Sequence, residues 1–350
     1  MIICRLTPPA RPPEDPRLPK SGCPALRKLI PDPFITVLVL TVVLASLLPV
    51  SGAAADAVSV LATAAIMLLF FLHGARLPRE NLVAALGHWR LHLTILATTF
   101  IVFPLLGLAL SLAFPRLLPG PLWTGVLFLC ALPSTVQSSI AFTSIARGNV
   151  AGTVASAAAS NLIGIVLTPV IIGLLAQAHG GAISFSGVWK IVVQLLLPFT
   201  TGHLLRPWLA AWVARRKALL SFTDRSTIVL AVYSAFSAAV IAGIWQQVPL
   251  PGLAVLVLIC AFLLTAILLL TRYAARLMGF AVEDEISIVF CGSKKSLVSG
   301  VPMARVLFGA ADVGAIVLPV MIFHQMQLMV CAWLARRYGA RPGGTQSEEH

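Results

Sequence analysis

CALPSTVQSSIAFTSIARGN, residues 130–149, starts as the end of an apolar helix and then stops behaving like one. The preceding LWTGVLFLCAL is almost wholly apolar. Pro133 then opens a run with seven Ser, Thr or Gln side chains between Ser134 and Ser144. In hydrocarbon every backbone group has to be satisfied internally, so a proline and a polar run at that depth need protein or a cavity around them. A loose second copy, VFCGSKKSLVSGVPMAR, occupies residues 289–305. In both, a Cys is followed by Gly or Pro, then Ser-rich polar residues, then an Arg. Cys130 and Cys291 are 161 residues apart and Arg147 and Arg305 are 158 apart, so the copies are nearly in phase. Paired interruptions at matching places in two halves of a chain point to the binding site of a carrier.

The composition agrees. Hydrophobic residues make up 59% of the 350 and charged ones 11%, against roughly 25% charged in a soluble domain. The formal charge of +13 is spread in short clusters between apolar runs. That pattern follows the positive-inside rule and implies no nucleic-acid partner. Six Cys (Cys4, Cys23, Cys130, Cys260, Cys291 and Cys331) show no metal spacing and read as small packing residues. Residues 1–31, rich in Pro, Lys and Arg, read as a cytoplasmic tail, and 341–350 as a second.

Between the tails ten spans of about the ~20 residues a bilayer requires are expected. They lie at 34–50, 57–75, 91–114, 121–145, 150–177, 187–209, 226–246, 251–271, 286–308 and 313–335. With the N-terminus inside, 20 of the 25 Lys and Arg fall in cytoplasmic tails and loops, Arg76 and Arg225 among them, and Arg116 alone falls outside. Both termini are therefore expected in the cytoplasm. The expected fold is an all-α polytopic membrane protein, with residues 32–180 and 181–340 as two five-helix repeats. An odd number of spans per repeat inverts the second copy, so the interrupted fourth and ninth helices enter from opposite sides and cross.

At these residues the chain resembles the bile acid/sodium symporter superfamily, in particular its divergent branch around the seventh human member of that solute-carrier group. The motifs are LPSTVQSSIAFTSIARGN and ASNLIGIVLTP in the fourth and fifth spans, FCGSKKSLVSGVPMA in the ninth and PVMIFHQMQL in the tenth. The resemblance implies ten helices in two inverted repeats. A panel of the first, second, sixth and seventh then moves against a core that holds the crossed helices. It also implies departures from the sodium-coupled members. Their Ser-Asn cation pair is matched by Ser138-Ser139, and their fifth-helix hydroxyl ligands by Thr153 and Ala157. Phe290 and Lys294 stand where they carry Glu and Gln, Lys295 where they carry Asn, and Thr99 where a third-helix Gln binds the ion. Their cavity-lining His is matched by His324.

Sodium wants about six oxygens, and Ser138, Ser139, Thr143, Thr153 and Asn161 are the candidates to supply them, but no carboxylate is expected well inside a span. Two ammonium groups stand there instead, each costing about 2.5–3.5 kcal/mol at the centre of a membrane helix. Lys294 is the candidate ion substitute. Gln137, Ser138, Lys295, His324 and Gln325 are the candidate substrate contacts. The expected partner is a small organic anion in a lipid bilayer, carried by alternating access across a plasma or bacterial inner membrane. No organic cofactor is implied. Sodium and a proton are both left open as the coupling ion, as is a homodimer. The competing reading is a membrane regulator of ion or envelope-precursor homeostasis with vestigial transport. An enzyme is disfavoured: there is no HExxH, no intramembrane Asp pair and no GxSx motif facing a His.

Overall fold

The computed structural model describes residues 33–76, 87–178, 192–243, 250–308 and 310–341, all helical or in short connections. The expected tail 1–31, nearly all of the tail 341–350 and the repeat boundary at 180/181 lie outside the described residues. The helices are α1 (Pro33–Leu47), α2 (Gly52–Arg76), α3 (Trp89–Ala113), α4 (Gly120–Ala131) and α5 (Val136–Ile145). They continue with α6 (Val150–Ala178), α7 (Leu197–Leu204), α8 (Arg206–Arg215), α9 (Lys217–Ile241) and α10 (Leu250–Leu277). Last come α11 (Val282–Gly292), α12 (Leu297–Leu307) and α13 (Ala310–Gly339). Among the described residues α2, α3, α6, α9, α10 and α13 are long and apolar enough to cross a bilayer, and α4 with α5 make a further span broken by a 58° bend. Leu40, Val60, Leu258 and Leu269 are among many large apolar side chains left exposed on the outside. A water-soluble surface does not tolerate such a belt, and lipid does. The chain is a multi-pass membrane protein.

Prolines explain most of the irregularities. Pro has no N–H and crowds the carbonyl four residues earlier. A wide π turn at Thr98–Val102 inside α3 stands just ahead of Pro104. The same device, Val192–Leu196, stands just ahead of Pro198 at the start of α7. At α4 the chain breaks outright: Leu132, the residue before Pro133, is extended with ψ 152°, as the clash with the proline ring favours. The α5 helix ends in a Schellman motif. Gly148 N–H bonds Thr143 O at 2.9 Å and Arg147 N–H bonds Ser144 O at 3.1 Å, with Arg147 at φ 55°.

α2 packs along α7, α1 along α9, and α9 reaches α12 and α13. The α2–α7 contact is backbone on backbone. A Cβ on Gly74 would strike the Phe199 carbonyl, and one on Gly202 would strike the Phe71 carbonyl. Small residues of this kind permit close approach where burying apolar surface gives no gain over lipid. Gly202→Ala is therefore expected to cost about 1–3 kcal/mol by overpacking, read as a lower thermal unfolding midpoint in detergent; an unchanged midpoint would contradict the contact.

Two expectations are corrected here. Asp224 falls before the seventh span as drawn from sequence, but α9 starts at Lys217, so its carboxylate lies inside the helix and is buried at 7% exposure. Arg76, counted among loop charges, ends α2 and pairs with that carboxylate, Nη1 to Oδ2 at 2.6 Å.

Candidate functional site

The two breaks meet. Unwinding at residues 131–135 frees carbonyls that a continuous helix would have used, and each has found a donor. Ala131 O accepts from Thr168 Oγ1 at 2.9 Å, Pro133 O from Ser296 N at 2.9 Å, and Ser134 O from Asn161 Nδ2 at 2.8 Å. Side chains of the first break reach across to the second. Ser134 Oγ donates to Cys291 O at 2.6 Å, Thr135 Oγ1 to Lys295 O at 2.9 Å, and Ser139 Oγ to Phe290 O at 3.0 Å. This accounting is what buried backbone demands, and it shows why the stretch is rich in Ser and Thr.

The remaining carbonyls are taken by one side chain. Lys295 Nζ donates to Cys130 O at 2.6 Å, Leu132 O at 2.8 Å and Thr99 O, in the π turn of α3, at 2.9 Å. Three donors meet three acceptors, with the Phe103 ring centroid 4.1 Å from the same nitrogen. Lys295 is wholly buried. So is Lys294, but its Nζ has no hydrogen-bond partner among the described residues and stands 3.7 Å from the Phe142 ring centroid. Adjacent residues on this segment thus lead to different surroundings.

Gln327 on α13 completes the second break. Lys295 N–H donates to its Oε1 at 2.9 Å and its Nε2 donates to Lys295 O at 2.9 Å, so the amide side chain stands in for a neighbouring strand. Its Nε2 is also 2.9 Å from His324 Nδ1. An amide nitrogen can only donate, so Nδ1 accepts and the neutral ring carries its proton on Nε2. Gln327, not Gln325, is the structural partner of this centre; their spacing on the helix turns the two to different faces, which sequence alone leaves undecided.

A cavity of about 430 Å³ lies beside the meeting of the two breaks, lined from α1, α2, α5, α6, α7, α9, α12 and α13. Of the candidate residues, Gln137, Ser138, Asn161 and His324 line it, and Lys294, Lys295 and Gln325 do not. Ser138 Oγ is buried with no partner among the described residues, whereas Asn161 Oδ1 accepts from Ser299 Oγ at 2.9 Å. Ser139 is turned to the other break. Thr143 and Thr153 bond each other at 3.2 Å, away from the cavity lining. His73, Arg76, Asp224 and Arg225 also line the cavity, and sequence reading missed them because their positions near helix ends resemble loop charges. The acidic run in the first turn of α11 is engaged separately: Asp284 accepts from Asn149 Nδ2 at 2.8 Å, and Glu285 from Arg276 Nε at 2.9 Å and Tyr338 Oη at 2.6 Å.

Residues 32–340 match the model of the SBF-like CPA transporter family. The chain belongs to this family. An uncharacterized protein of Pseudomonas aeruginosa is 53% identical over 315 residues, covering 90% of this chain and 95% of that one. The Escherichia coli protein YfeH, whose name carries a provisional symporter assignment, is 49% identical over 318 residues, covering 91% and 96%. Sodium/bile acid cotransporter 7-B of Xenopus laevis is 27% identical over 314 residues, covering 87% and 91%. As a member of the SBF-like CPA family, the protein falls in the divergent branch that its motifs resemble, and that family is one of transporters.

Proposed function

We propose that this SBF-like protein is a secondary carrier of a small organic anion, working by alternating access without sodium. The observation that carries the reading is the hydrogen-bonded meeting of two interrupted helices beside a cavity holding two guanidinium groups and one carboxylate. Interrupted helices at such a crossing form the binding sites of carriers. In this reading α1, α2, α7 and α9 are the panel that rocks, and the ten spans form two inverted five-helix repeats. The termini are cytoplasmic and the membrane is a plasma or bacterial inner membrane. Lys295 supplies a tethered ammonium at a ring of carbonyls that would otherwise suit a coupling cation, so sodium has no role to play there.

The test is uptake into proteoliposomes loaded with the purified protein. A saturable flux of an organic anion, equal in sodium and in choline buffers, is the expected result. Binding without flux would favour a regulator, and a flux that needs sodium would remove the assignment of Lys295.

A further inference from the structure

The stretch that joins α7 to α9 is basic and shows a large apolar surface. From Leu204 to Arg225 it carries Arg206, Arg215, Arg216, Lys217 and Arg225, with Asp224 the single carboxylate. Asp224 is buried and held by Arg76, so it cancels none of the positive charge at the surface. α8, in the middle of this stretch, has two unlike faces. Leu209 and Val213, four residues apart, pack with Leu72 and Ala75 in the last turns of α2 and with Leu220 in the first of α9. Trp208, Trp212 and Arg215 stand at i, i+4 and i+7 and so share another face. All three are exposed, Trp208 at 75%. Arg216, at the end of α8, is exposed as well. Neither Arg215 nor Arg216 has an ion pair or a side-chain hydrogen bond among the described residues. Leu219 and Phe222 continue the exposed apolar surface onto α9.

Water suits the arginines and not the tryptophans, and hydrocarbon suits neither fully. An indole, apolar but for one N–H, belongs at the boundary between headgroups and acyl chains. A guanidinium takes two oxygens of a phosphate through its planar fork. A helix face that ends in both therefore meets acyl chain with its rings and phosphate with its charge. A zwitterionic headgroup carries its own cation beside the phosphate. Surplus positive charge with no exposed carboxylate near it therefore favours a headgroup with net negative charge.

We infer that α8 is a binding surface for an anionic phospholipid, with Trp208 and Trp212 against the acyl chains and Arg215 and Arg216 on the headgroup phosphate. α8 connects α7 and α9, both in the panel of the carrier reading, so the lipid anchors the connection between two panel helices. The inference goes beyond that reading, and binding is read without flux.

The test uses the full chain in detergent micelles doped with phosphatidylglycerol or with phosphatidylcholine of the same chains. A ligand that binds the folded state raises the unfolding midpoint as RT ln(1 + [L]/Kd). Phosphatidylglycerol should raise it above the value in phosphatidylcholine, and high salt should shrink the difference. Glycerol phosphate, the headgroup without chains, should give no rise. Each arginine at an anionic lipid surface adds about fivefold in affinity, so R215Q/R216Q should need about twentyfold more phosphatidylglycerol for the same rise. W208A/W212A keeps the charge and should lose most of the rise. R336Q/R337Q removes the same charge from the exposed end of α13 and should keep it. The inference is overturned if the two lipids shift the wild type equally, or if glycerol phosphate alone gives the rise. It is overturned equally if R336Q/R337Q loses as much as R215Q/R216Q, or if W208A/W212A responds like the wild type.

Discussion

Lys295→Met is expected to lower the stability of the protein by on the order of 3–5 kcal/mol, the scale seen when one member of a buried charged network is removed. Methionine matches the length of the lysine stem and lacks the three donors. Cys130 O, Leu132 O and Thr99 O would then face one another without a proton between them, at the point where α4, α3 and the second break are joined. Lys294→Met is the matched control. That ammonium has ring contact and no hydrogen bond among the described residues, so its removal relieves a buried charge as well as ending a contact, and the unfolding midpoint should stay at or above the wild type. A second consequence concerns cations. Lys295→Ala clears the space while keeping the ring of carbonyls, and a hard cation is bound by oxygens of this kind. Sodium chloride should therefore raise the midpoint of Lys295→Ala above that in choline chloride and leave the wild type unmoved. Thermal denaturation of detergent-purified protein reads all three variants, and a Lys295→Met midpoint equal to the wild type would remove the ammonium from its central place.

Gln327→Leu comes next in expected effect. Leucine fills a similar volume, but it leaves Lys295 N–H and one lone pair of Lys295 O without the bonds made at 2.9 Å each, inside a region where water does not replace them. Each buried group left unsatisfied costs about 1–3 kcal/mol. Thr135 Oγ1 still donates to Lys295 O at 2.9 Å, so the N–H bears the larger share. His324 also loses the donor that sets its tautomer, and His324 lines the cavity. The variant should thus be less stable and, in the proteoliposome assay, lose flux by more than its folded fraction accounts for. Gln325→Leu, on the neighbouring face, serves as the comparison and should change flux little. Equal losses in the two variants would show that position on α13 does not matter.

Much of this was legible in the residues. Pro133 before a Ser- and Thr-rich run marks the first helix interruption because a proline denies its own N–H and forces its predecessor out of the helix; the second, after Cys291 and Gly292, has no proline at the break and is marked by its Ser-rich, charged run and its likeness to the first. The belt of apolar runs marks a membrane protein because no folded surface in water holds so much of it. The pairing of the breaks was less legible. Ser134 and Thr135 could serve a ligand or a neighbouring backbone equally well, and only the placement of Cys291 O and Lys295 O decides for the backbone. Trp123 illustrates the same limit, sitting at the edge of a span in sequence yet buried at 6% exposure against the core.

By itself, then, the sequence determined that the chain is a multi-pass membrane protein with two matched interruptions and a pair of lysines at the second. These follow from local chemistry: hydropathy, proline geometry and charge placement act over a few residues. Tertiary structure alone decided that Lys295 goes to three carbonyls and Lys294 to a ring, that Gln327 and not Gln325 joins them, and that Arg76 and Asp224 belong to the cavity. Each of these choices is made by groups more than a hundred residues away in the chain, or by a turn of helix that rotates one neighbour inward and the next aside, and neither is written in the order of residues.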